Sequence, residues 1–301
     1  MTAPFTLEPF DASRRADYLR LLGDAWGGAA MGSELFDWWF DGNPAGSLRS
    51  VAVRDGVVVG VAGHSLYRLS LGSREGLGQF SVHAVTAPDA RGLGIFRALE
   101  VRHEEQGLER GSSCVLAFAS APTRPLFLGP LGWTQIDRRR VWARPLPIGR
   151  RGNRAARFRP EHEDAYASVA ARLRNHLVRS RDYLDWRYAD SPREYRILEA
   201  PRGGFAVVGF TRRRGLRLGL LMELVAESAE GGPLLRAALA EARGAAALLA
   251  VPSPCLPRAC LARHGFVPTT YRLDFMGKGL VEPLDARSEA WTVSLGDTDF
   301  F

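Results

Sequence analysis

The stretch Thr86-Ala-Pro-Asp-Ala-Arg-Gly-Leu-Gly-Ile-Phe96 decides how the rest of the chain is read. An apolar run (80–85) leads into it and an amphipathic segment (96–106) leads out, so the order is strand, tight turn, helix. Gly92 and Gly94 carry no Cβ, which lets backbone N–H groups point freely into the turn. The start of the helix adds unpaired amides and a partial positive charge. Arg91 adds a full charge, and together these features predict a cradle for a pyrophosphate. Two familiar phosphate loops fit less well. A dinucleotide fold needs G-x-G-x-x-G early in a βαβ unit, whereas this turn follows several strands that read as antiparallel. A P-loop needs G-K-[ST], which is absent.

The stretch resembles the acyl-CoA loop of the GCN5-related N-acyltransferases (GNAT family), with the pattern [RQ]-x-x-G-x-[GA]. Arg91, Gly92 and Gly94 match it; Phe96 stands where the family prefers Gly or Ala and is expected to crowd the helix start. The resemblance implies that residues 91–96, Leu93 and Ile95 included, cradle acetyl-CoA or another acyl-CoA. It implies that the backbone of Val85 and Thr86 holds the pantetheine and faces the acyl carbonyl, and that Ser120 touches the cofactor. A base often projects from this strand a few residues earlier in the family, which selects His83, an imidazole suited to proton transfer near neutrality. The alternative for His83 is a hydrogen-bonded core residue. The family's usual general acid is a tyrosine where this chain has Leu128.

Composition narrows the remaining classes. At 301 residues with 46% hydrophobic residues, the chain has room for two domains with real cores. No apolar run reaches the ~20 residues that span a membrane, and the first residues lack the pattern of a signal peptide. Cys114, Cys255 and Cys260 lack disulfide or metal-ligand spacing, so a reducing, cytoplasmic setting and no metal are expected. The net charge of +7 comes from arginine clusters at 138–140, 150–151 and 212–214. Without interleaved aromatics or a nucleic-acid motif, these read as solvated turns that attract an anionic cofactor, and no nucleic-acid partner is expected.

In chain order the pattern predicts a strand (5–10), two helices (12–26 and 34–40), a hairpin (51–62) and a further strand (66–71). The motif strand, loop and helix follow, then a buried strand (114–119), a short helix (123–128) and a last strand from Gly132-Trp133 to Arg144. This is the family's order. The pattern then restarts. Asp37-Trp-Trp-Phe-Asp-Gly-Asn-Pro44 is echoed by Asp185-Trp-Arg-Tyr-Ala-Asp-Ser-Pro192, and Gly132-Trp133 by Gly265-Phe266, which opens the second final strand (270–276).

The fold class expected is therefore α+β, with two GNAT-like domains, each a mostly antiparallel sheet flanked by helices. Residues 1–145 form the domain with the acyl-CoA loop, 146–160 a linker, and 161–301 a degenerate copy plus tail. Aligning Arg97 with Arg236 sets Glu230 against Arg91 and Pro233 against Gly94, which removes a cation and an N–H donor from the second loop. The arrangement resembles the N-terminal part of the enhanced-intracellular-survival acetyltransferases, in which the terminal carboxylate acts as a base; that implies a role for Phe301. Asp297 and Asp299 read as a solvated turn, with lining of the acceptor site as the alternative, while the apolar residues of 291–301 predict a docked tail that closes a cleft between the halves. The function implied is transfer of an acyl group, acetyl by default, to a small amine. Acylation of a hydroxyl, a larger acyl donor and a non-catalytic acyl-CoA-binding protein stay open, as does a homodimer.

Overall fold

Alternating residues near the start form strand β1 (Thr6–Pro9), and the Asp11 carboxylate accepts the Ser13 amide at the turn that follows. A computed structural model of the chain describes residues 4–27 and 31–298. α1 (Arg15–Trp26) buries Tyr18, Leu21 and Leu22 at helical spacing. α2 (Ser33–Phe36) runs into a π-helical turn over Asp37–Asp41 that buries Trp38, Trp39 and Phe40. β2 (Ser47–Arg54) and β3 (Val57–Leu71) pair antiparallel, the two apolar runs at 57–62 and 66–71 forming one strand. β4 (Arg74–Thr86), α3 (Ile95–Glu109), β5 (Ser112–Ala119) and α4 (Arg124–Leu128) come next.

β6 (Thr134–Pro145), β7 (Asn153–Ala155), α5 (Pro160–Ala170) and β8 (Asn175–Leu177) lead into the second half. There α6 (Arg181–Leu184) again runs into a π-helical turn, over Asp185–Ala189, that buries Trp186, Arg187 and Tyr188. The sequence echo is thus an echo of structure. β9 (Tyr195–Glu199), β10 (Phe205–Arg213) and β11 (Leu216–Val225) follow, then α7 (Ser228–Glu241) and β12 (Ala247–Ala250). α8 (Arg258–Arg263) and the long β13 (Val267–Gly279) complete the regular elements. No helix of the described residues is long and apolar enough to cross a membrane.

The chain divides into two compact units. The first is Met1–Leu69, Glu75–Ile136 and Asp274–Ala286; the second is Ser70–Arg74, Asp137–Leu273 and Arg287–Phe301. These limits differ from the expected 1–145 and 161–301, because the two halves exchange their closing strands. The strand beside β5 is residues 274–279 of β13, from Asp274↔Ala119 to Gly279↔Cys114. β6, the last strand of the expected first domain, pairs with β12 in the second unit, from Ala247↔Pro145 to Ala250↔Trp142. Residues 146–160 are not a plain linker either, since β7 pairs with β9. Within the first unit the sheet runs β1-β2-β3-β4-β5-β13, and within the second β13-β6-β12-β11-β10-β9-β7. Both are mixed sheets flanked by helices, with parallel pairing of β4 with β5 and of β11 with β12.

Side chains of the first unit hold the inserted strand. Phe275 is fully buried and stacks on Phe118 at 5.0 Å and Phe80 at 6.5 Å. Gln135 donates its amide to the Phe275 carbonyl at 2.9 Å. Lys278, the chain's single lysine, meets Glu104 of α3 at 2.6 Å, and the Trp133 indole donates to the same carboxylate.

In the second unit α7 buries Leu235 and Ala238 against Leu198, Ala206 and Leu221 of the sheet. Its tail is docked as far as the described residues run: Trp291, Val293, Leu295 and Thr298 are all buried. The tail belongs to the second unit. Asp297 is no solvated turn. It pairs with the buried Arg179 guanidinium, which Glu223 also contacts at 3.0 Å, while Arg187 donates to the carbonyls of Gly296 and Thr298. Asp299 and Phe301 lie outside the described residues.

Truncating the stacked ring of the inserted strand tests the exchange. Phe275→Ala is expected to lower the unfolding free energy by about 3–5 kcal/mol, read from urea melts. A loss below about 1 kcal/mol would show that residues 274–279 do not close this sheet.

Candidate functional site

The site begins where a strand pair comes apart. β4 and β5 pair parallel from Leu77↔Ser112 to Phe80↔Leu116, with a register shift between Leu77 and Gln79. Beyond Phe80, β4 continues to Thr86 and β5 to Ala119 without pairing to each other. The other edge of β4 lies against β3, and just past its end the Ala87 amide donates to the Val59 carbonyl at 2.8 Å. Val85 and Thr86, both half-buried, therefore lie on a stretch whose β5-facing edge is open to an extended ligand.

Residues 87–94 connect this strand to α3. Its first turn, Pro88–Ala90, is pinned by the buried Ala90 and by Arg54 pairing with Asp89 at 2.7 Å. Gly92 and Gly94 both have φ of +82°, and a Cβ at either would meet nothing, so backbone handedness and not space demands glycine. Gly94 caps α3, whose first bond runs from the Ala98 amide to the Gly94 carbonyl at 3.0 Å. The amides before it project from the helix end. Arg91 is exposed beside them, and its guanidinium has no hydrogen-bond or ion-pair partner among the described residues. Leu93 is exposed as well. Ile95 anchors the helix start: it is buried against β3, close enough that a Cβ on Gly60 would fall 2.4 Å from it. Phe96 does not crowd the loop, because its ring turns sideways onto Phe127, with centroids 5.4 Å apart.

His83 sits on β4 with φ of +48°, a conformation that L-residues rarely adopt. Ser81, two residues earlier, reaches Glu100 on α3, and regular alternation would send His83 to that same face. The kink sends it instead to the rings of Trp26, Trp39 and Phe40, with centroids 5.5, 5.9 and 6.3 Å away. Backbone strain of this kind costs on the order of 1–3 kcal/mol and concentrates at functional sites. Ser120 lies in the turn after β5, where its hydroxyl is engaged with that of Thr123 at 2.9 Å and its carbonyl starts α4. Leu128 packs onto the cluster of Phe127, Leu131 and Trp133.

Sequence reading missed what lies behind β4. His64 of β3 meets Glu100 at 3.0 Å, Ser81 donates to the other Glu100 oxygen at 2.9 Å, and His103 meets Ser50 at 3.0 Å. His64, Glu100 and His103 are fully buried, so this polar seam fixes α3, and with it the loop amides, against the sheet. Only the odd placement of polar residues among apolar ones signalled it. No group of residues suited to a metal ion occurs among the described residues.

The second unit has no comparable loop. α7 begins at Ser228, with only two residues between it and the end of β11 at Val225, where the first unit spends residues 87–94. The expected alignment of 230–235 with 91–96 is thereby corrected: Gly231, Gly232 and Pro233 are inside the helix. Glu230 is buried and accepts the Arg202 amide at 2.8 Å.

No family model and no curated protein matches the chain. Solved structures do. A GCN5-related N-acetyltransferase from Anabaena variabilis aligns at TM-score 0.67 and 13% identity, over 92% of this chain and 73% of that one. One from Kribbella flavida aligns at 0.64 and 18%, over 93% and 73%. The Saccharomyces cerevisiae N-myristoyltransferase with bound myristoyl-CoA aligns at 0.66 and 11%, over 92% and 83%. The chain has the GCN5-related N-acetyltransferase fold.

The buried seam makes stability depend on pH. Burial, then the charges of His64 and Arg102, hold the His103 imidazole well below its ordinary value. The unfolded chain takes up a proton near pH 6.5 that the folded one refuses, so stability is full above that pH and falls below it, levelling off at the folded pKa. The expected slope is about 1.4 kcal/mol per pH unit for this residue. His103→Gln should remove that slope from pH-dependent urea melts; an unchanged slope would count against a neutral, buried imidazole.

Proposed function

We propose that this chain is an acyl-CoA-dependent acyltransferase that moves an acetyl group onto a small amine, such as an amino sugar or a natural-product amine. What supports this most is the coincidence, in the first unit, of a strand edge left open beyond Phe80↔Leu116 and a helix start whose amides project beside an exposed Arg91. The fold supports it further. The amides of residues 92–96 and Arg91 would bind the CoA pyrophosphate as charge-assisted hydrogen bonds. The open edge at Val85 and Thr86 would hold the pantetheine, and its N–H groups would polarise the acyl carbonyl. When bound, acyl-CoA supplies an activated thioester.

His83 takes the proton from the incoming ammonium, and the rings of Trp26, Trp39 and Phe40 that face it attract that cation and keep water away. Leu128 is packed into the core and offers no proton, so the departing thiolate takes one from water. A short acyl group is favoured by Phe80 and Phe118, which stack 6.0 Å apart at the closed end of the opened pair.

Calorimetry on the full chain should find one CoA bound. Gly94→Pro should weaken it at least tenfold, because proline cannot adopt φ of +82° and removes an amide worth roughly 1.5–3 kcal/mol to an anion. Two CoA molecules per chain would contradict the reading. His83→Ala should lower thiol release with an amine acceptor by roughly 10²–10⁴ while CoA affinity holds. If the intact protein binds CoA but releases no thiol with any amine of a broad panel, it is a binding protein and not a transferase.

A further inference from the structure

A cavity of about 750 Å³ opens in the second unit along the edge of β6 that β12 leaves after Ala250↔Trp142. Five arginines line it: Arg138, Arg139 and Arg140 from β6, Arg258 from the start of α8 and Arg272 from β13. Among the described residues that line the cavity two are carboxylates, Asp137 and Glu289, and Asp137 is committed to Arg139 at 2.7 Å. Arg139 is further fixed by donating to the carbonyls of Ser288 and Trp291. Arg272 spends one of its donors on the Arg138 carbonyl at 3.2 Å. Arg140 and Arg258 are exposed, and neither guanidinium has a hydrogen-bond or ion-pair partner among the described residues.

Gathering like charges in a concavity disfavours the empty state, since each raises the cost of the others. Planar guanidinium forks present paired donors that match the two oxygens of a carboxylate or phosphate. Trp142, which also lines the cavity, offers an apolar wall beside them. The volume lies within the ~300–1,000 Å³ range of small-molecule sites, and a concave pocket suits a compact anion better than a nucleic-acid strand.

We propose that this cavity binds a small polyanion carrying carboxylate or phosphate groups together with an apolar portion that rests on Trp142. The proposal goes beyond acyl transfer: every residue it uses belongs to the second unit, and its test needs no acyl-CoA.

The test is calorimetric titration of the full chain with sodium pyrophosphate and, separately, sodium citrate at constant ionic strength. At least one should bind, and which one binds distinguishes a phosphate from a carboxylate ligand. Arg140→Ala/Arg272→Ala should weaken it at least tenfold with an unchanged melting temperature, while Arg91→Ala leaves it intact, which separates this site from the loop of the first unit. The charge-keeping Arg140→Lys/Arg272→Lys should lose most of the affinity too, because an ammonium lacks the fork. The proposal is overturned if neither anion binds, if the loss appears in Arg91→Ala instead, or if the lysine variant binds as well as the parent. Tighter binding of a single-stranded oligonucleotide than of either anion, dependent on Arg140 and Arg272, would overturn it as well.

Discussion

A strand edge that loses its neighbour inside a fold leaves amides and carbonyls that something must satisfy. β4 is such an edge beyond Phe80, and the first unit is arranged so that this edge persists without collapsing. β3 holds the opposite side of β4 as far as Ala87. The Ser81–Glu100–His64 seam ties the sheet to α3 from behind, so that the helix start and the open edge keep a fixed spacing. His83 leaves the regular alternation at the same place, and its kinked backbone turns an imidazole toward aromatic rings that ordinary pleating would have denied it.

The second unit shows how much of the scaffold persists where the loop is missing. It repeats the π-helical turn, the parallel strand pair and the helix between them. What it omits is loop length. With only two residues between β11 and α7, no backbone is left to fold round an anion, and the acidic Glu230 faces the chain's own Arg202 amide. It also buries a charged cluster, in which Arg179 is held between Glu223 and Asp297. Leaving either partner alone in the interior would strand a buried charge, a far larger penalty than a surface pair ever offsets.

Much of this was legible in residues alone. Gly92 and Gly94 announced a left-handed turn, and the Asp-Trp pairs at 37–38 and 185–186 announced a repeat. Local signals also placed most elements, because helical spacing and alternation are properties of short windows. Strand partnership is not. The segments after Gly132 and Gly265 carry the same aromatic start and the same alternation, so nothing local says which of them lies beside β5. That choice is made by contacts far apart in sequence, such as Phe275 on Phe118 and Lys278 on Glu104. Asp297 was misread for the same reason: an acidic residue near a terminus is usually solvated, and only tertiary structure brings Arg179 to it.

The exchanged strands set a timetable for biosynthesis. β5 of the first unit emerges early from the ribosome, but its partner, residues 274–279, is encoded about 140 residues after the rest of that unit ends at Ile136. At about 5–20 residues per second, that edge waits roughly 7–28 s without its mate. During this interval β5 presents an unpaired row of backbone groups to any neighbouring nascent chain. A premature stop after Leu273 therefore takes the closing strand away from the half of the protein that was translated first.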